Sequence, residues 1–386
     1  MNKAKLVSIV IALFPVLDVY AFLPGITLGF ASVICLAVIF FLKSRNFYAE
    51  KDFVIFSIVI VTLHLVAYLF YNHSFTDSYI MLNNLIYLIL YVLILSNLLT
   101  FPIDKVYLRS TYLIALIATF IAIFQFISFT LKDQLPLFYL PIELKNRMID
   151  QISPNRPSSI FLEPADFAIF LLPVLYVSLI QKKYIYVIIF IIGLILSQSS
   201  TAIIGGILVF LYSQLFQKHF IKGFFVISIL VTIIIFNYQI VNDLFEASKT
   251  LEKLENYENE SRLLGNFHIL KEMNFMQLFL GLGIGQYQQF ANYFSIASYP
   301  FVNTILYTVF NCGILGLIVF IAFLVQKAYC SKYKGIIFIF FFLSFTDNLF
   351  FSNWMLYLLF FSKAINQIEL QNINTCNTND LKLIKT

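Results

Sequence analysis

The sequence predicts an all-α, polytopic integral membrane protein of about twelve spanning helices, and three observations carry that expectation. Of its 386 residues, 60% are apolar and only 12% charged, with a mean hydropathy of +0.88, whereas soluble domains are about 25% charged. At the ~20 residues needed to cross a ~30 Å hydrocarbon core, those apolar residues suffice for eleven or twelve spans and little else. Runs such as 53–71 and 79–99 are apolar on every face, which excludes the alternation of a membrane barrel and leaves helices as the only spanning structure.

In chain order the expected spans are 6–23, 26–42, 53–71, 79–99 and 106–131, which form an N-terminal unit over 1–131. Lys3 and Lys5 precede the first apolar run, but no small-x-small cleavage site follows it, so it reads as an anchor rather than a signal peptide. A first long loop covers 132–159. Spans at 160–180, 184–196, 201–216 and 223–241 make a second unit over 160–241, followed by a second long loop over 242–300. The last unit, 301–366, holds a span at 301–325 and a stretch at 335–361 interrupted by Thr346-Asp347-Asn348; a tail covers 367–386. As one helix that stretch would be about 40 Å long with Asp347 near its centre, so two helices are expected and the total is twelve, or eleven if it is continuous.

Orientation follows from the basic residues, which short loops retain on the cytoplasmic side. Lys3, Lys5, Lys43, Arg45, Lys51, Lys105, Arg109, Lys182, Lys183, Lys218, Lys222, Lys327, Lys332, Lys334, Lys363, Lys382 and Lys385 fall in alternate segments that include both termini. The other eight of the 25 Lys and Arg all lie in the two long loops. Both termini are therefore expected in the cytoplasm and both long loops outside. The net charge of +5 is dispersed, with no basic block of the kind nucleic-acid binding requires. Cys35 and Cys312 fall in apolar runs, Cys330 and Cys376 in segments expected inside, so no extracytoplasmic disulfide is expected.

Connections of this length usually carry function. Three of the five arginines, Arg147, Arg156 and Arg262, lie in the long loops, as does Lys145, and arginine suits forked contacts with phosphate. The densest local chemistry is Arg156-Pro-Ser-Ser-Ile-Phe-Leu-Glu-Pro-Ala-Asp-Phe-Ala168. Pro164 suits the first turn of a helix, which sets Glu163 at the membrane interface with Asp166 one turn inside. Two carboxylates there either do chemistry or merely complement the helix dipole. Ser197 and Ser199 either line a polar cavity or cap the next helix. Asp18 and His64, ionisable groups inside apolar runs, are weaker candidates. The run Gly281-Leu-Gly-Ile-Gly285 lacks the Lys-Ser/Thr of a phosphate loop and reads as a tight turn. His268 stands alone in the second loop, and no metal-ligand spacing occurs outside the membrane.

Arg156 to Ala168, then Leu196-Ser-Gln-Ser-Ser-Thr201, Ser261-Arg262, Gly281 to Gly285 and Asn311-Cys-Gly-Ile-Leu-Gly316 together resemble the ordered landmarks of bacterial repeat-unit polymerases of the Wzy type, which belong with the O-antigen ligases. The landmarks cover less than half the chain. The resemblance implies a GT-C-like fold in the bacterial cytoplasmic membrane and a metal-independent glycosyltransferase with no cofactor. Its substrates would be oligosaccharide units on undecaprenyl diphosphate, polymerised at the outer face into O-antigen, capsule or another surface polysaccharide. A flippase and a chain-length regulator are its expected partners, beside the lipid bilayer. By match to the landmarks, Arg156 and Arg262 would hold the diphosphate, and Glu163 would accept the hydroxyl proton or orient an arginine, with Asp166 as second choice. Lys145, Arg147, Ser197, Ser199 and His268 are candidates for substrate binding.

Two alternatives differ in class or reaction. A transporter or flippase of lipid-linked glycans would also have about twelve helices, but such proteins show internal repeats and midplane charges, and here the charges gather in two outside loops. An O-antigen ligase carries a His-Asn pair where this chain has Pro300-Phe-Val-Asn303.

Overall fold

A computed structural model of the chain describes residues 3–23, 26–44, 49–70, 78–101, 103, 105–132, 136–145, 156–216, 266–295 and 302–383. Helix α1 (Lys3–Leu17) leads into a small antiparallel hairpin of β1 (Ala21–Leu23) and β2 (Ile26–Thr27), then α2 (Leu28–Ser44). There follow α3 (Lys51–Phe70), α4 (Ser78–Leu98), α5 (Val106–Lys132), α6 (Pro164–Ile180), α7 (Tyr184–Leu196) and α8 (Ser200–Phe216). Three short helices, α9 (Phe267–Glu272), α10 (Phe275–Leu280) and α11 (Tyr287–Tyr293), precede α12 (Thr304–Cys330), α13 (Lys334–Thr346) and α14 (Asn353–Leu383). The expected span at 223–241 lies outside the described residues.

Among the described residues three helices, within α3, α5 and α12, are long and apolar enough to cross a membrane, and several shorter apolar helices accompany them. The distribution of side chains fits a multi-pass membrane protein. Leu42, Leu69 and Ile185 are 70%, 77% and 74% exposed on helix faces, while His64, Gln125 and Asn311 are wholly buried. That is the inverse of a water-soluble globule and the arrangement hydrocarbon imposes, since polar groups find partners only inside the bundle.

Helix α6 packs against α7 and α8, α5 against α1 and α7, and α12 against α3, α10 and α13. Phe56, Phe320, Phe323, Phe350 and Phe351 interlock where α3, α12 and the start of α14 meet. At one end of the bundle Lys327 pairs with Glu50 and Asp52, joining the last turn of α12 to the start of α3. The opposite end, where α1, α5 and α13 finish and α6, α12 and α14 begin, holds the described part of the first long loop.

Two sequence-based boundaries change and two hold. The first span ends at Leu17, because the backbone of residues 19–21 pairs with residues 143–145 of the first loop instead of continuing as helix. Helix α6 begins at Pro164, as expected from proline's fitness for the first turn, and inside the apolar run 160–180, since proline lacks the N–H an interior helical position needs. The stretch 335–361 is two helices broken at residues 347–352, as expected, whereas α14 continues to Leu383, through what was expected as a tail. The second long loop is not wholly peripheral: α10 packs against both α3 and α12.

Candidate active site

Gln125, buried in α5, fixes the two ends of the first loop. Its Nε2 donates to the carbonyls of Pro136 (3.0 Å) and Ser159 (3.1 Å), and its Oε1 accepts from the Ser159 amide at 2.7 Å. The Ser159 hydroxyl donates to the Ala118 carbonyl at 2.6 Å, so three bonds hold Ser159 at its positive φ of 61°. Tyr139 donates to the Phe161 carbonyl at 3.0 Å; burial raises its phenol above the ordinary value, so it remains a donor. Farther along, Ala21 N donates to Glu143 O and Lys145 N to Val19 O, which seats Lys145 beside the end of α1.

These anchors enclose a cavity of about 80 Å³ at the loop end of the bundle. Its polar lining is Asp18, Lys145, Glu163, Asp166 and Trp354 over an apolar floor that includes Phe161. Asp18 accepts from Thr27 and Asn353 and forms an ion pair with Lys145 at 3.3 Å. Trp354, in the first turn of α14, donates its indole N–H to Asp166 Oδ1 at 2.8 Å. Glu163 is the N-cap of α6, but its side chain makes no capping bond.

Arg156 lies next to this cavity's lining loop and donates to the Gln198 carbonyl at 3.3 Å, on the turn between α7 and α8. The serines of that turn serve the backbone: Ser197 Oγ donates to the Leu194 carbonyl at 2.7 Å and accepts from the Ser199 amide at 3.4 Å. On the other side of the turn, Thr201 reaches Asp347 Oδ2 at 3.4 Å, and the Asp347 carbonyl accepts from both the amide and the hydroxyl of Thr304 at the start of α12. The structure thus brings Lys145, Arg156, Glu163, Asp166, Ser197 and Ser199 to one end of the bundle. His268 sits on α9, outside the cavity lining. Arg147 and Arg262 lie outside the described residues.

The glycine run is a turn docked into the bundle. Gly281, Gly283 and Gly285 all have positive φ. The amides of Leu282 and Gly283 donate to the carbonyls of Phe310 and Asn311, that of Ile284 to His64 Nδ1 at 2.8 Å, and that of Gly285 to Asn311 Oδ1 at 2.7 Å. Every amide from 282 to 285 is therefore engaged, and none is left to cradle a phosphate. His64, suspected as functional from its position in an apolar run, holds this turn.

Sequence reasoning missed Trp354 and weighed Asp18 only lightly. The available signal for the first was its being the sole tryptophan, immediately after the polar break that separates α13 from α14. Among the described residues no group of three His, Cys, Asp or Glu side chains is placed to hold a metal ion. No protein-family model matches the sequence, and no curated protein matches it.

Proposed function

We propose that the protein is a repeat-unit polymerase of the bacterial cytoplasmic membrane, a GT-C-like twelve-helix glycosyltransferase with both termini in the cytoplasm. It joins undecaprenyl-diphosphate-linked oligosaccharides at the outer face. The observation that carries this reading is the meeting of Lys145, Glu163 and Asp166 with Asp18 of α1 and Trp354 of α14 around one cavity at the end of an apolar bundle, with Arg156 on the same loop bonded to the Gln198 carbonyl. A lipid-linked substrate presents its diphosphate and sugars at that depth while its polyprenyl chain stays in hydrocarbon.

Diphosphate is already a good leaving group, so the reaction needs cations for the developing phosphate charge and a carboxylate for the attacking hydroxyl. Arg156 and Arg262 take the first role by their match to the family landmarks, and the second falls to Glu163, which otherwise orients an arginine, or to Asp166. The test is purified protein with an undecaprenyl-diphosphate-linked repeat unit in detergent, excess EDTA and no nucleotide sugar. A ladder of longer lipid-linked products with release of undecaprenyl diphosphate is expected. Translocation of intact units in liposomes with no ladder would overturn the reading in favour of a transporter, and dependence on added Mg²⁺ would overturn the metal-independent mechanism.

A further inference from the structure

We infer that the cavity between α1, α6 and α14 is the acceptor subsite of the proposed reaction. It receives the non-reducing-end sugar of the growing or incoming unit, with Asp166 as the group that takes the hydroxyl proton. The inference rests on the polymerase reading and refines it.

Charge excludes the other half of the substrate. The lining carries Asp18, Glu163 and Asp166 against the single cation Lys145, and a diphosphate brought among them would meet net repulsion. A neutral polyhydroxylated ring meets the opposite: carboxylates accept from its hydroxyls, and an indole offers a surface for its C–H face. The volume of about 80 Å³ suits the edge of one ring and not a polyprenyl chain.

The carboxylates differ in availability. Both oxygens of Asp18 are engaged, Oδ1 by Thr27 and Asn353 and Oδ2 by Lys145. Asp166 gives Oδ1 to the Trp354 indole, and its Oδ2 has no hydrogen-bond partner among the described residues. Trp354 thus holds one carboxylate oxygen and leaves the other without a hydrogen bond, on a residue that lines the cavity. In the step this permits, the acceptor hydroxyl oxygen forms a bond to the anomeric carbon of the second unit. The bond from that carbon to the diphosphate oxygen breaks, its electron pair leaves with undecaprenyl diphosphate, and the hydroxyl proton passes to Asp166 Oδ2. Trp354 is a positioning residue for that transfer.

Because Trp354 is the only tryptophan in the chain, its emission reports on this cavity directly. The experiment titrates purified full-length protein with oligosaccharide released by partial hydrolysis of the host's own surface polysaccharide, and in parallel with sodium pyrophosphate. A saturable change with the oligosaccharide and none with pyrophosphate is expected; a response to pyrophosphate instead of the sugar overturns the assignment. Transfer from a lipid-linked donor to the same soluble oligosaccharide then gives separate KM values for donor and acceptor.

Trp354→Phe keeps an aromatic ring but loses the N–H, and should raise the acceptor KM about tenfold, the effect of losing one hydrogen bond to a charged group, with the donor KM unmoved. Equal changes in both overturn the inference. Asp166→Asn should lower kcat at least 100-fold without moving the donor KM, the range expected for a positioned acid–base group; a normal kcat assigns the proton elsewhere. A ladder from wild-type protein without any tryptophan response sinks the subsite and spares the polymerase, whereas a sugar response without a ladder sinks the polymerase and the acceptor role with it, leaving only a sugar-binding cavity.

Discussion

Replacing the glycines of the docked turn one at a time by alanine gives a graded test of how the second long loop is fastened to the bundle. At Gly281, with φ 87° and ψ 176°, the backbone occupies a region that is essentially glycine-only, so an added Cβ costs ~1–3 kcal/mol in strain. That Cβ would also overlap the carbonyl carbon of Asn311 and the amide nitrogen of Cys312 in α12. Backbone cannot swing aside as a side chain can, and forced overpacking adds another ~1–3 kcal/mol or more. At Gly285 the overlap is with the Asn84 side-chain amide, which can rotate away at the loss of its 3.1 Å bond to the Ile284 carbonyl, about 1 kcal/mol beyond the strain. At Gly283 the nearest atom is His64 Nδ1 at 3.4 Å, an ordinary contact, and the strain of φ 94° is all that remains.

The expected order of damage is therefore Gly281→Ala, then Gly285→Ala, then Gly283→Ala. Cys312 supplies the readout: it is buried beside the turn, while Cys35 and Cys330 are exposed. With Cys35, Cys330 and Cys376 changed to serine, a thiol-reactive fluorophore in a thermal ramp reports the opening of this region. Extending the known size scaling to a chain this long, each kcal/mol corresponds to roughly 1–2 °C in Tm. The Tm of Gly281→Ala should fall by ~2–12 °C, or the variant fail to accumulate, and that of Gly283→Ala by about half as much, ~1–6 °C. If Gly283→Ala proves as damaging as Gly281→Ala, or if Gly281→Ala is tolerated, the turn does not dock against α12 as described.

Two further predictions concern charge and orientation. Arg156→Lys keeps the cation but loses the planar fork, and should abolish chain extension at unchanged protein abundance in the membrane; full activity would remove Arg156 from the diphosphate site. Leu140 and Lys332 lie at opposite ends of the bundle, and both are exposed. In intact cells of a cysteine-free variant, Leu140→Cys should react with an impermeant maleimide and Lys332→Cys should not, and the reverse pattern would set the proposed site in the cytoplasm.

What the sequence discloses is what chain-local physics controls. The start of α6 is legible because Pro164 tolerates the first helical turn and little else, and the break between α13 and α14 because Asp347 has no place at the centre of a continuous apolar helix. The hairpin at residues 21–27 is hidden by its own apolarity: Ala21, Phe22, Leu23 and Ile26 extend the hydrophobic run, and only Pro24-Gly25 marks a turn there. The candidate site is harder to read for a different reason. Its decisive contacts, Lys145 with Asp18 and Trp354 with Asp166, join residues 127 and 188 positions apart, and such pairings leave no periodicity or spacing in the chain. Arg156, Glu163 and Asp166 stand out because they crowd one short segment, whereas Asp18 and Trp354 acquire their meaning only when α1 and α14 are packed beside α6. An apolar bundle amplifies this difference. With hydrocarbon around it, a polar side chain has few partners to choose from, so Asp18, a lone charge in an apolar run, is better evidence of a distant partner than the same residue would be on a water-exposed helix.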